Sequence, residues 1–118
     1  ENYQKAIEYN PNQATTYSNL GIIYFQKGKL DKAREVYKKA IELDPTFVDA
    51  YRNLGSVYAQ AGRFDQAIEQ FAKGLTYDPQ NAVLHYYLGM AYRDNGEPDK
   101  AKVHFDRAYA LDPGLRKQ

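Results

Sequence analysis

YSNLGIIYFQKGKLDKAREVYKKAIELDP, residues 17–45, comes back twice in the same chain. YRNLGSVYAQAGRFDQAIEQFAKGLTYDP follows at 51–79 and HYYLGMAYRDNGEPDKAKVHFDRAYALDP at 85–113, each offset by 34 residues. Gly21, Gly55 and Gly89 share one register, and Pro45, Pro79 and Pro113 share another. A fixed period of this length marks a stack of repeated supersecondary units, in which each unit buries its apolar face against the next. Counting from Ala14, the units are 14–47, 48–81 and 82–115, with 116–118 as a tail. Residues 1–13 read as the end of an earlier unit, because Tyr3, Ala6, Asn10 and Pro11 precede Tyr37, Ala40, Asp44 and Pro45 by one period. The chain opens on Glu1 inside a repeat, so it is expected to be a piece of a longer protein.

Each unit divides into two helices. In the first, Tyr17, Leu20, Tyr24 and Lys27 follow helical spacing. Gly28, Gly62 and Gly96 then interrupt the pattern, where a left-handed residue closes a helix at low cost. The second helix is predicted to open at Asp31, Asp65 or Asp99, whose carboxylates suit the free amides of a first turn. It ends at the Asp-Pro pairs 44–45, 78–79 and 112–113, because proline disfavours helix at the residue before it. Pro98 stands where Leu30 and Phe64 stand in the other units and is expected to weaken the apolar contact at that helix entry. Gly21, Gly55 and Gly89 lie inside helices, at a cost of about 1 kcal/mol each relative to alanine. That cost implies a close approach of two helices. Ala33, Ala67 and Ala101, with Ala40, Gly74 and Ala108, offer the small positions to match, and the large residues around them fill the gaps.

Composition narrows the function. Sixteen basic and 15 acidic residues leave a net charge of +1, which gives no electrostatic case for nucleic acid. No apolar run is long enough for membrane insertion. There are no cysteines, so disulfides and thiolate chemistry are excluded. The two histidines have no metal-ligand spacing. His85 replaces a packing tyrosine and reads as a buried or half-buried imidazole, whereas His104 lies on a charged helix and is expected in solvent. No phosphate loop or nucleophile motif is present. Neither a catalytic site nor a cofactor nor a metal is expected, and the second helices, with Asp31, Lys32, Glu35, Lys38, Lys39 and Glu42, read as solvated faces.

The aromatic, Leu-Gly, Tyr, Ala, aromatic, Ala and Pro register resembles the tetratricopeptide repeat, with His85 and Gly74 as the departures. The resemblance implies an all-α, right-handed superhelical solenoid of antiparallel helix pairs, about seven helices with the first truncated. First helices would line a concave groove and second helices the convex face. It also implies a non-catalytic scaffold for protein–protein interaction, with a protein or peptide partner in the groove. Nothing after Pro113 reads as a capping helix, so apolar surface around Phe105, Ala108 and Leu111 is expected to be exposed. Self-association through uncapped repeat ends is the alternative that follows.

Carried over from the family, the groove positions are Thr15, Ser18, Asn19, Ile22, Phe25 and Gln26, then Asp49, Arg52, Asn53, Ser56, Ala59 and Gln60, then Val83, Tyr86, Tyr87, Met90, Arg93 and Asp94. Most of the 12 tyrosines recur at packing positions, but Tyr86 and Tyr87 do not. Asn19 and Asn53 are expected to hold a peptide backbone, since an amide donates and accepts together. Ile22, Phe25, Tyr86, Tyr87 and Met90 would take apolar side chains, and Arg52 or Arg93 an acidic one. The two asparagines also resemble, more weakly, the asparagine ladder of O-linked N-acetylglucosamine transferase repeats, with Tyr87 at the third rung. That likeness implies a second reading, the substrate-recruiting arm of a larger enzyme such as a glycosyltransferase. The repeats that clamp a chaperone's C-terminal carboxylate are a poorer match, because Ser18, Ile22, Val83 and Tyr87 stand where their charges would be and only Asn53 fits.

Overall fold

The computed structural model describes residues 13–117. They form six α-helices in three antiparallel pairs: α1 Gln13–Gln26 and α2 Leu30–Leu43, α3 Val48–Gln60 and α4 Phe64–Tyr77, α5 Ala82–Asp94 and α6 Pro98–Leu111. A short 3₁₀ turn, Pro113–Lys117, follows. Apart from Gln13, the earlier unit expected over 1–13 lies outside the described residues. Helices pack on their neighbours in sequence, with α1 also touching α3. The described residues form no strand. The result is a helical solenoid, longer than it is wide at 45 × 26 × 24 Å.

The three glycine stops behave as their positions predict. Gly28, Gly62 and Gly96 have φ of 75°, 78° and 79°. In each, the residue after the glycine donates its N–H back five residues to a tyrosine carbonyl, as Lys29 does to Tyr24 at 2.9 Å. This satisfies carbonyls the helix end would otherwise orphan.

The second helices start one residue earlier than the aspartates suggest. Leu30, Phe64 and Pro98 are the first helical residues, and the preceding Lys29, Arg63 and Glu97 make no side-chain cap. Asp31, Asp65 and Asp99 therefore sit within the first turn, where they favour the positive helix end without capping it. Pro98 falls at the first helical position, where its missing N–H is not needed. The aspartates of the Asp-Pro pairs bind the turn beyond the helix instead: Asp44 accepts from the Thr46 amide at 3.1 Å, and Asp112 from the Gly114 amide at 3.1 Å.

Packing of the pairs depends on the interior glycines, and the atoms nearest to them belong to aromatic rings. A Cβ on Gly21, Gly55 or Gly89 would come within 2.5, 2.5 and 2.8 Å of the rings of Tyr37, Phe71 and Phe105. An aromatic ring on the second helix lies over each glycine of the first. Ala33, Ala67 and Ala101 are buried as well. Burial pushes the Tyr37 hydroxyl up to about 12, partly offset by the Arg52 guanidinium, so the ring stays neutral.

Gly74 is different. A Cβ there would meet the Leu84 Cδ1 methyl at 3.0 Å and Tyr51 Cβ at 3.4 Å. A methyl end can shift, alanine already stands at the same place in Ala40 and Ala108, and alanine raises helix propensity. Gly74→Ala is expected to change stability by less than about 1 kcal/mol, with a small gain favoured. A urea melt checks it.

The far end is less open than the sequence suggests. Ala108 is fully buried, Phe105 is half-buried, and only Leu111 is exposed, at 40%. The 3₁₀ turn packs on α6 and leaves Leu115 only 9% exposed. Arg116 lies over the Tyr109 ring at 4.8 Å.

Candidate interaction groove

The expected groove positions lie on α1, α3 and α5. On α1, Asn19, Ile22 and Phe25 fall about one turn apart, with Asn19 and Ile22 exposed and Phe25 half-buried. On α3, Asn53 precedes Ser56 by one turn, and on α5, Tyr87, Met90 and Asp94 follow the same spacing. Phe25, Tyr87 and Met90 come together around one open hollow of about 430 Å³. It lies between α3 and α5. Ser56, Ala59 and Gln60 form one wall, with Tyr87, Met90, Ala91 and Asp94 opposite. Phe64 and Phe71 enter from α4, and Phe25 from α1. Tyr87 tilts against Phe71 with ring centroids 5.8 Å apart, so its ring is held while its edge remains accessible. The Tyr87 hydroxyl has no hydrogen-bond partner among the described residues.

Phe64, Phe71 and Ala91 are not among the expected groove positions, yet all three line the hollow. Antiparallel pairing places α4 under both α3 and α5, so its aromatic residues contribute to a surface built mainly by first helices. The aromatic pair Phe64 and Phe71 on one helix, seven residues apart, was the available signal.

The remaining expected residues surround the hollow or lie away from it. Asn53 donates from Nδ2 to the Ser18 hydroxyl of the preceding unit at 3.5 Å. Asn19 stands free of that contact, on the exposed side of α1. Arg52 pairs with Asp49 of its own helix at 3.6 Å, and Arg93 with Asp94 at 3.2 Å. Such surface pairs are worth about 0–1 kcal/mol and yield readily to another carboxylate. Tyr86 turns from the hollow toward the last helix, with its ring 5.5 Å from Phe105 and 6.3 Å from Tyr109. Its neighbour Tyr87 is 6.5 Å away, so the two tyrosines connect the hollow to the end of the stack.

His104, expected in solvent, is half-buried. Its Nδ1 meets His85 Nδ1 at 3.2 Å. Among the described residues no group of three His, Cys, Asp or Glu could hold a metal ion, and no helix is long and apolar enough to cross a membrane.

A family model described as TPR repeat matches residues 1–28 and 21–62, and another, described as tetratricopeptide repeat, matches 49–115. The chain belongs to the tetratricopeptide repeat family. Its repeats make it a protein–protein interaction module. Among solved structures it is similar to a crystal structure of MamA, at 31% identity with a TM-score of 0.86 over 95% of this chain and 66% of that one. A second MamA structure gives 29% identity and a TM-score of 0.84, covering 98% and 63%. A third, of MamA AMB-1, gives 28% and 0.81, covering 95% and 66%. The chain thus spans just under two thirds of the length of those proteins. No curated protein sequence matches the chain.

Proposed function

We propose that the groove binds an extended or helical peptide segment of a partner protein, without catalysis, and seats one of its apolar side chains in the hollow between α3 and α5. The observation that carries this reading is the convergence of Phe25, Phe71, Tyr87 and Met90 on an open hollow with Gln60 and Asp94 at its polar edge. Aromatic and methionine side chains in a concave, partly desolvated setting supply most of the binding energy at protein interfaces. A helix pair with no partner to accept would gain more by filling that space with its own side chains. Asn53 keeps its amide oxygen and a second N–H for the peptide backbone, one turn from the hollow. Asn19 and Ile22 extend the same track along α1. Arg52 and Arg93 offer guanidinium groups to an acidic residue, because their present partners are exposed and weakly held.

A photo-crosslinking residue tests the site directly. Placed at the exposed rim position Gln60, it is expected to trap a defined segment of a partner protein in lysate, and Tyr87→Ala in the same chain is expected to abolish the adduct. The same crosslinker at Lys38 on α2 serves as the comparison. Adducts from position 38 that persist in the Tyr87→Ala protein, with none from position 60, would move the interaction to the second helices.

A further inference from the structure

The hollow between α3 and α5 opens over a small residue. Ala59 on its α3 wall holds the place that Phe25 and Arg93 hold in the adjoining units. The room of one large side chain is left open there, about 430 Å³ and within the range of small-ligand sites. Phe25, Phe71, Tyr87 and Met90 turn ring faces, ring edges and a thioether toward it, the surfaces against which an aromatic ring packs best.

The polar atoms around the hollow call for a donor. Ser56 gives its hydroxyl proton to the Arg52 carbonyl at 3.1 Å, so only its lone pairs are left. The Asp94 carboxylate only accepts, and its Oδ1 already takes the Arg93 Nε–H at 3.2 Å, which leaves Oδ2. Gln60 and the Tyr87 hydroxyl can serve in either role. No side chain lining the hollow is a fixed donor.

Shape and hydrogen bonding together select the occupant. Phenylalanine, leucine or methionine would fill the space but leave Asp94 Oδ2 and the Ser56 lone pairs facing carbon. Tyrosine brings lone pairs of its own to the same edge. Lysine or arginine supplies donors but gives up its water, and the one carboxylate at the edge already has Arg93 as its counter-charge. Tryptophan joins a neutral, apolar body to a donor that has no acceptor.

We propose that the hollow is a tryptophan seat, in which the indole of a partner segment packs among Phe25, Phe71, Tyr87 and Met90 and donates its N–H to Asp94. This rests on the groove reading above and names the residue that the groove selects.

Met90 is the chain's only methionine, so a single ¹³C-labelled methyl group reports on the hollow. The probe is N-acetyltryptophanamide. Beside it are titrated its 1-methyl derivative, which lacks the indole N–H, and the corresponding phenylalanine and arginine amides. Tryptophan is expected to move the Met90 methyl resonance through its ring current. It is expected to bind at least about threefold more tightly than each of the other three, the effect of one net hydrogen bond. Asp94→Ala, with its fold checked by circular dichroism, is expected to bring tryptophan and its 1-methyl derivative within about twofold of each other while the Met90 resonance still moves. A gap between those two that survives in Asp94→Ala comes from the bulk of the methyl group and overturns the seat. Equal binding of tryptophan and phenylalanine overturns it and leaves the groove reading standing. Tighter binding of arginine overturns it as well. If none of the four moves the Met90 resonance, the hollow seats no side chain, and the groove reading falls with the seat.

Discussion

Gly55→Leu is expected to unfold the stack around its second helix pair. A single Cβ on Gly55 already falls 2.5 Å from Phe71 Cε1, 2.7 Å from Cδ1 and 2.9 Å from Cζ. The ring cannot move aside freely. Phe71 is 2% exposed, and it also bears on Tyr87 at 5.8 Å. An alanine would recover about 1 kcal/mol of helix propensity against this clash. A leucine recovers about as much and adds three further carbons where there is no room. Overpacking of a well-filled core costs about 1–3 kcal/mol, and more when the obstructing group is itself fixed. A loss of about 3 kcal/mol or more is expected, a large share of the stability of a small domain. Urea denaturation followed by circular dichroism measures it, with Gly74→Ala as the glycine substitution that should do little harm. A Gly55→Leu midpoint equal to the parent's would mean that the two helices do not approach as closely as the Phe71 contact requires.

That contact also marks the limit of what the chain's pattern reveals. Spacing along each helix exposes the need for close approach at Gly21, Gly55 and Gly89, and the 34-residue period exposes the fold. Neither reveals how two helices are rotated about their axes, so which large side chain lies over each glycine cannot be read from the spacing. The ring was invisible as the partner because large residues are ordinarily read as filling space beside a small residue, not as covering it. Asp31, Asp65 and Asp99 fail in a smaller way: one residue separates a cap from a first-turn charge, and only backbone geometry resolves it. His104 fails because its helix is charged overall, while its burial comes from the rings of His85 and Tyr92 on the facing helix. In the groove, first-helix register finds Phe25, Tyr87 and Met90 but not Phe64 and Phe71, which belong to the helix underneath. It also groups Tyr86 with Tyr87, although adjacent residues on a helix face different directions and Tyr86 packs toward α6.

Met90→Glu is expected to remove partner binding while leaving the fold intact. Met90 is half-buried on the wall of the hollow, one turn after Tyr87 and one turn before Asp94. In the free protein the hollow is open, so a carboxylate at position 90 can reach water, and its repulsion from Asp94 is a surface effect of a few tenths of a kcal/mol. The bound state differs. A partner side chain seated against Phe71, Tyr87 and position 90 would close the hollow and strip water from the carboxylate. No described cation lines the hollow to compensate. Leaving such a charge desolvated costs several kcal/mol, so affinity is expected to fall about 100-fold or more, about 3 kcal/mol. Fluorescence anisotropy with the segment trapped at position 60 measures the loss, and circular dichroism checks the fold. Met90→Leu keeps volume and apolar character and is expected to bind within a few-fold of the parent. Lys38→Glu changes charge by more than Met90→Glu, but on α2 and away from the groove, and is expected to bind normally. If Met90→Glu binds as the parent does, the hollow is not where the side chain goes. If Lys38→Glu weakens binding by the same factor, net charge rather than the hollow governs the interaction.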